Sequence, residues 1–182
     1  MIRSCNAMDV PVMFEIINDA ALAYRGVIPA DCWAEPYMSE NELRREIKDG
    51  VQFWGVEKEG QLVAVMGIQH VLDVSLIRHA YVRTDARQKG IGAKLLGALR
   101  VQTSRPMLMG TWAAASWAVR FYEKHGFRLV TQGEKDVLLK KYWNISARQV
   151  QTSVVLADEK WFKQRGEGRG SGSNADCGLQ GI

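Results

Sequence analysis

A short turn that carries two glycines, at residues 87–92, constrains this chain more than any other feature. It follows a predicted strand at residues 75–82. Beyond it, Ile91, Leu95 and Leu99 recur at the spacing of one helix face. The chain therefore passes from strand to amphipathic helix through a bend without bulky side chains.

The turn has the chemistry of an anion site. The first turn of a helix leaves backbone N–H groups unpaired and carries a partial positive charge. Gly90 and Gly92 have no Cβ, so a ligand oxygen can approach those groups closely. Arg87 and Lys89 add full positive charges, and together these features fit a pyrophosphate. The alternative is that the two glycines only allow a tight turn.

The order of predicted elements indicates a mixed sheet of α/β (α+β) type. A strand at residues 2–5 precedes two helices, at 9–24 with Asp9 as N-cap and at 39–49 with a Ser39/Glu42 capping box. The remaining predicted strands are 51–57, 62–69, 75–82, 107–112, 127–130 and 150–157. Predicted helices begin at Ile91 and at Ser116, and a charged, helical segment separates the last two strands.

Composition indicates one folded domain. The chain has 182 residues, of which 47% are hydrophobic and 24% charged, as in ordinary globular proteins. We expect the domain to span residues 1–162 and a Gly/Ser-rich, disordered tail to span 163–182. The net charge of +4 favours an anionic ligand. Without a stripe of alternating basic and aromatic residues, a nucleic-acid partner ranks last.

The cysteines predict a reducing compartment. Cys5, Cys32 and Cys177 are odd in number and lack the paired spacing of a zinc site, so we expect no metal. No charged and apolar leader opens the chain, and the longest uncharged stretch, residues 106–119, is too short and mixed to span a bilayer. We therefore expect a soluble, cytoplasmic protein without a membrane partner.

A second motif, AVRFYEKHGF at residues 118–127, follows about thirty residues after the turn. Together the two segments resemble the GCN5-related N-acetyltransferase (GNAT) superfamily. Arg87, Gly90 and Gly92 fit its R/Q-x-x-G-x-G/A phosphate loop, and the later segment fits its A-x-x-F-Y-E-K-x-G-F motif. The resemblance extends to about Phe162. It implies a mostly antiparallel sheet with acetyl-CoA in a V between two parallel strands.

The resemblance also implies where acetyl-CoA, the acyl donor, would lie. Its pantetheine arm would pair with the strand before the turn, and its pyrophosphate would lie on the amides of the turn. The residues expected to contact it are Ala80, Tyr81, Val82, Arg87, Gln88, Lys89, Gly90, Ile91, Gly92 and Ala93.

Tyr122 matches the family's frequent general acid, which protonates the departing thiolate. The alternative is an aromatic side chain that only packs on the sheet. The identity of the base is left open. His79 is the first candidate, because histidine as a residue type suits proton transfer near neutral pH, and Asp73 is the second. Some relatives use ordered water instead. The chain also has Ala115 where many relatives have an asparagine that holds the donor.

The resemblance implies that the first two helices and their loop shape the acceptor site. Tyr24, Arg25 and Trp33 are the candidates, because aromatic walls suit an amine and an arginine suits a carboxylate. Core packing is the alternative for the aromatic residues. The implied function is acetyl transfer to a primary amine of a small molecule or peptide. A non-catalytic CoA-binding regulatory module is the alternative, and a homodimer is compatible with the family.

Overall fold

The computed structural model describes residues 1–166, which form one seven-stranded sheet with helices on both faces. The strands are β1 (Ile2–Ser4), β2 (Gln52–Lys58), β3 (Gln61–Val71), β4 (Val74–Val82), β5 (Met107–Trp112), β6 (Arg128–Leu129) and β7 (Ser153–Ala157). The helices are α1 (Val10–Ala21), α2 (Glu40–Lys48), α3 (Ile91–Arg100), α4 (Ser116–Lys124), α5 (Gln132–Tyr142), α6 (Ala147–Thr152) and α7 (Glu159–Gln164).

The strand order is β1-β2-β3-β4-β5-β7-β6, and every neighbouring pair is antiparallel except β4 and β5. The mixed, mostly antiparallel sheet predicted from the sequence is therefore confirmed.

The parallel pair β4–β5 is short. Its register runs from Ser75 opposite Met107 to Ile77 opposite Met109 and then stops. Beyond that point β4 continues to Val82 beside β3, and β5 continues to Trp112 beside β7. The register between β3 and β4 shifts here, with two β4 residues opposite one on β3, which is a β-bulge. The two central strands therefore diverge and leave an opening in the middle of the sheet.

Alternation along the strands gives the sheet two apolar faces. On β5, Met107 and Met109 pack in the core beneath α3 and α4, whereas Leu108 packs on the other face against α5 and α7. On that second face, β2 and β3 pack against the buried side of α1 and α2. Helices thus support the sheet on both sides of the central opening.

The N-terminus of α1 differs from the expected cap. Asp9 stands at the N-cap position, but its side chain makes no capping hydrogen bond to the amides of α1. Its carboxylate instead accepts two hydrogen bonds of 2.8 Å from the Arg3 guanidinium and one from the backbone N–H of Asn6. Asp9 therefore ties β1 to the start of α1.

The end of the chain departs most from the sequence-based expectations. The strand predicted at 150–157 begins only at Ser153, because a capping box of Ser146 and Gln149 starts α6, which runs through Thr152. The last helix, α7, continues to Gln164, beyond the expected domain end at 162. Residues 167–182 of the predicted tail, which include Cys177, lie outside the described residues.

Among residues 1–166, no helix combines the length and the apolar character needed to cross a membrane.

Candidate active site

A cavity of about 610 Å³, here called the large cavity, opens beside the diverging end of β4. Its walls come from β4, α4 and the turn before α3. Of the ten residues expected to contact acetyl-CoA, those that line it are Ala80, Tyr81, Val82, Arg87, Gln88, Gly90, Ile91, Gly92 and Ala93. Lys89 does not line the cavity; it is exposed, and its Nζ donates to the carbonyl of Asp85 at 3.1 Å.

The turn before α3 depends on its glycines. Gly90, the N-cap of the helix, has a φ of +70°, which favours glycine, and it provides no side chain to cap the first amides. No atom lies within 4 Å of the place where a Cβ would be at Gly90. At Gly92 a Cβ would come within 3.3 Å of the Phe121 ring, so this glycine lets α3 pack against α4. The amides at the start of α3 thus remain open to the large cavity.

Arg87 connects this turn to α1. Its Nη2 donates to the carbonyl of Ala20 at 2.9 Å, and the side chain also lines the large cavity. The guanidinium therefore lines the same cavity as the open amides of α3, and both contribute positive charge to it.

Tyr122 reaches the large cavity from α4. Its side chain is buried, with 2% exposure, and is held edge-on between Phe121 and Phe127 at ring distances of 5.0 and 5.5 Å. Its hydroxyl is buried without a hydrogen-bond partner among residues 1–166. Burial, with a smaller contribution from Tyr24, raises the pKa of Tyr122 above its usual range. The phenol therefore keeps its proton and can donate it to a group that enters the cavity.

A second cavity of about 300 Å³, here called the small cavity, lies on the other side of the opening. It has walls from α2, β4, β5 and the segment after α5. The residues that line both cavities are Tyr24, Ile77, Arg78, His79, Tyr81, Gly110 and Thr111. Two ligands can therefore approach from opposite sides and meet where β4 and β5 separate.

His79 stands at this meeting point. It has a φ of +48°, lies in the β-bulge of β4 and stacks on Phe53 with ring centroids 5.9 Å apart. Its Nε2 lies 3.2 Å from Oε2 of Glu46 on α2, although without the alignment of a hydrogen bond. His79 therefore lines both cavities and lies beside a carboxylate that lines the small one.

Glu46 is itself held by Arg78. The Arg78 Nη2 donates to Glu46 Oε2 at 2.6 Å, and Nη1 donates to Gln69 Oε1 at 2.6 Å. Burial acts to raise the pKa of the Glu46 carboxyl, but His79 and Arg78 outweigh it, so the net pKa is lowered. Glu46 is therefore ionised at neutral pH.

The aromatic side of the small cavity comes from the segment after α1 and from β5. Tyr24 stacks on Trp117 at 5.7 Å and contacts Tyr37 at 5.6 Å, and Trp112 Nε1 donates to the Tyr37 hydroxyl at 2.9 Å. Burial raises the pKa of Tyr24 to about 12. These side chains form a neutral aromatic wall beside the opening.

Two candidates for acceptor binding lie elsewhere. Arg25 is exposed, pairs with Glu35 at 3.3 Å and lines neither cavity. Trp33 packs against Tyr37 at 5.6 Å from outside both cavities. Tyr24 alone of the three acceptor candidates faces the opening.

Asp73, the second candidate for the base, is far from the opening. It lies in the turn before β4, and its Oδ1 accepts a 2.7 Å hydrogen bond from the Tyr142 hydroxyl. Asp73 is next to β4 in the sequence, but it lies at the end of β4 that is paired with β5 rather than at the end where the two strands separate.

Sequence reasoning missed Glu46 and Arg78. A signal for Glu46 was present, because it follows the buried Leu43 by three residues and so shares its helix face. Nothing local indicates that Glu46 meets His79, since the two positions are 33 apart in the sequence. Among residues 1–166, no group of three or more His, Cys, Asp or Glu side chains could hold a metal ion.

Comparison with known families gives a match over much of the chain. Residues 18–137 match the family model described as an acetyltransferase (GNAT) domain. No curated protein sequence matches the chain.

Solved structures share the fold. A PaiA N-acetyltransferase from Thermoplasma acidophilum, in complex with coenzyme A, is 17% identical, with a TM-score of 0.65 over 87% of this chain and 97% of that one. The ribosomal-protein-S18-alanine N-acetyltransferase from Escherichia coli is 18% identical, with a TM-score of 0.61 over 87% and 92%. A GNAT family acetyltransferase from Elizabethkingia anophelis, with acetyl-CoA bound, is 16% identical, with a TM-score of 0.59 over 87% and 96%.

Proposed function

Because the chain belongs to the GNAT acetyltransferase family, we propose that it transfers an acetyl group from acetyl-CoA to a primary amine by direct attack. The observation that carries the proposal is the junction of the two cavities at the divergence of β4 and β5. A donor in one cavity and an acceptor in the other would meet there. The solved relatives that hold coenzyme A or acetyl-CoA support the choice of donor.

The large cavity is the proposed donor site. The open helix amides at residues 90–93 and the Arg87 guanidinium suit the pyrophosphate of CoA. The unpaired side of β4 at residues 80–82 suits an extended arm with amide groups. The two features lie in the order that would bring the thioester towards Tyr122 and His79.

The small cavity is the proposed acceptor site. A volume of about 300 Å³ suits a small amine or the first residues of a peptide rather than a folded surface. Its aromatic wall of Tyr24, Tyr37 and Trp112 can pack against the carbon atoms of such a ligand or face its ammonium group. One structure of this fold, by its name an N-acetyltransferase for an alanine of ribosomal protein S18, supports including peptide N-termini among the acceptors.

The proposed reaction assigns His79 as base and Tyr122 as acid. The acceptor arrives as an ammonium ion and loses one proton through His79 to solvent, which frees its electron pair for attack on the thioester carbonyl. The C–N bond forms, the C–S bond breaks, and Tyr122 donates its proton to the sulfur. The second proton on nitrogen returns to the Tyr122 oxygen through water. The products are an amide, the free thiol and one released proton.

Backbone N–H groups near Val82 are the proposed partners of the oxygen that becomes negative during attack. For the base, ordered water near His79 is the alternative. A flat pH–rate profile between 6 and 8 for the wild type and for His79→Asn alike would favour water. Asparagine is the variant of choice because it accepts the positive φ of this position.

An amine screen tests the function. Thiol release from acetyl-CoA is measured with polyamines, amino acids, aminoglycosides and peptides with free N-termini, beside a thermal melt with and without CoA. Release with one class of amine supports the proposal. Stabilisation by CoA without release with any amine would instead indicate a CoA-binding module, for which Ala115, in place of the family's asparagine, is the supporting feature. A cytoplasmic location and a homodimer remain predictions.

A further inference from the structure

We propose that Glu46 positions the base: its carboxylate accepts a hydrogen bond from Nε2–H of His79 and so leaves the Nδ1 lone pair free for the acceptor amine. This inference rests on the proposed function, because it concerns the same site. It names a residue outside both family motifs, on a helix that neither motif includes.

The distances support the pairing. His79 Nε2 lies 3.2 Å from Glu46 Oε2, and both side chains are mostly buried, at 15% and 24% exposure. Nε2 is buried and has no other partner among residues 1–166. A small rotation of the ring would turn this contact into a hydrogen bond, since the distance is already within range.

The charge state of Glu46 decides the tautomer. An ionised carboxylate has no proton to donate and can only accept a hydrogen bond. The lowered pKa of the Glu46 carboxyl keeps it ionised at neutral pH. Neutral His79 therefore gains by carrying its proton on Nε2, and its lone pair is then on Nδ1. In that tautomer Nδ1 is the ring nitrogen that can accept a proton from a ligand.

Arg78 and Gln69 fix the carboxylate in turn. Arg78 holds Glu46 Oε2 at 2.6 Å and is itself held by Gln69 on the neighbouring strand β3 at 2.6 Å. This chain of contacts ties α2 to the β-bulge of β4. Loss of the Glu46 charge would therefore affect both the tautomer of His79 and the position of its ring.

The charged and titratable groups around His79 come from several elements. Phe53 of β2, which stacks on the ring, carries no charge. The groups that line the small cavity with His79 are Glu42 and Glu46 of α2, Arg78 and Tyr81 of β4, and Tyr24, Cys32 and Tyr37 of the segment between α1 and α2. Of these, Glu46 is the carboxylate within ion-pair distance of the ring.

A double-mutant cycle tests the proposal. Glu46→Gln should lower kcat about 10- to 100-fold while the KM for acetyl-CoA changes by less than about twofold, because the base is misplaced and the donor site is not. In a His79→Asn background the same change should alter kcat by less than about twofold, since Glu46 acts through His79. Glu46→Asp, which keeps the charge, should restore part of the loss.

Glu40→Gln is the matched control. It removes one negative charge from the same helix, but Glu40 is exposed, pairs with Arg44 and lines neither cavity. A loss in Glu46→Gln no larger than in this control would overturn the proposal. An equal loss with and without His79 would overturn it too, because Glu46 would then act independently. Thermal melts of all variants show whether a loss of kcat reflects unfolding.

A measurement without turnover separates this inference from the proposed function. The chain has three histidines, so the ring ¹⁵N signals of His79 can be assigned by their loss in His79→Asn. An Nε2 proton protected from solvent exchange in the wild type, and lost in Glu46→Ala, is the expected result. Free exchange of that proton in the wild type would contradict the pairing. If no amine is acetylated, the proposed function fails while this test still decides whether the pair exists.

Discussion

At the scale of single residues, the Tyr122 hydroxyl is an uncommon feature. Buried polar groups usually have a partner, and an unpaired one costs roughly 1–3 kcal/mol of stability. Tyr122 has none among residues 1–166, yet a ligand in the large cavity would face it. The cost is understandable if the partner of the hydroxyl is the sulfur of the donor, as in the proposed function.

Tyr122→Phe should therefore separate activity from stability. Removal of the unpaired hydroxyl should leave the free energy of unfolding equal or raise it by about 1 kcal/mol. The same change should lower kcat by about a hundredfold or more, because the leaving thiolate loses its acid, with acetyl-CoA affinity within about twofold. Urea unfolding, steady-state kinetics and calorimetry measure the three quantities.

Tyr142→Phe is the control for that prediction. The Tyr142 hydroxyl donates to Asp73 at 2.7 Å and lies outside both cavities, so its loss should lower stability by about 1 kcal/mol and leave kcat unchanged. Full turnover in Tyr122→Phe would remove the proposed acid from the mechanism.

The position of a residue could be predicted where its motif stands on one continuous segment. The turn at 87–92 and Tyr122 both face the large cavity because local chain geometry fixes their positions. The positions of Arg25, Trp33 and Asp73, which line neither cavity, could not be predicted, since they depend on which end of a strand or which side of a loop meets the opening. The contact of Glu46 with His79 could not be predicted, because it needs the tertiary packing of α2 on the bulge.

At the scale of elements, the start of α3 allows charge and shape to be tested separately. Gly90→Asp should weaken CoA binding more than tenfold, because space exists for the side chain and its charge would repel a pyrophosphate. Gly90→Asn has nearly the same shape, accepts the left-handed conformation equally and lacks the charge. Calorimetric titration with CoA should show the larger loss for aspartate. Equal losses would mean that size, not charge, decides.

The contact between β1 and α1 predicts a pH dependence of stability. The hydrogen bonds from Arg3 hold the pKa of Asp9 below its usual range, so the contact stabilises the fold above about pH 4. This stability is lost as the pH falls through the folded-state pKa. Asp9→Asn should thus cost about 2 kcal/mol at pH 7 and progressively less below pH 4. Urea unfolding at pH 7, 5 and 3 measures the difference, and a constant cost would contradict the assignment.

Element prediction was accurate where caps and periodicity agree. Ser39 caps α2 as expected by accepting from the backbone N–H of Glu42, although this is only one half of the predicted capping box. The hairpin from β2 to β3 turns at Glu59 and Gly60. At residues 150–152 the cap and the apolar pattern disagree. The apolar Val150 suits a strand, but the capping box at Ser146 begins a helix that includes it. The local cap determined the structure there, and β7 starts only at Ser153.

At the scale of the whole molecule, donor binding should stabilise the fold. Acetyl-CoA at a hundred times its Kd should add about 2.7 kcal/mol to the free energy of unfolding. For a chain of this size that corresponds to a rise in Tm of roughly 5–10 °C. Pantetheine at the same concentration as acetyl-CoA should give a smaller rise in Tm, because it lacks the pyrophosphate and should bind more weakly. Equal shifts with the two ligands would mean that the turn before α3 does not hold the donor.

The early end of the β4–β5 ladder has one more consequence. A sheet normally leaves its unpaired backbone groups on its outermost strands, and proteins often protect those edges with prolines or lysines. Here alternate residues of 78–82 and 110–112 leave such groups along a seam at the centre of the sheet. A proline or lysine at these positions would block the approach of a ligand that pairs with the strand, so these backbone groups have no such protection. In the proposed function, the bound donor would be the molecule that shields these backbone groups from solvent.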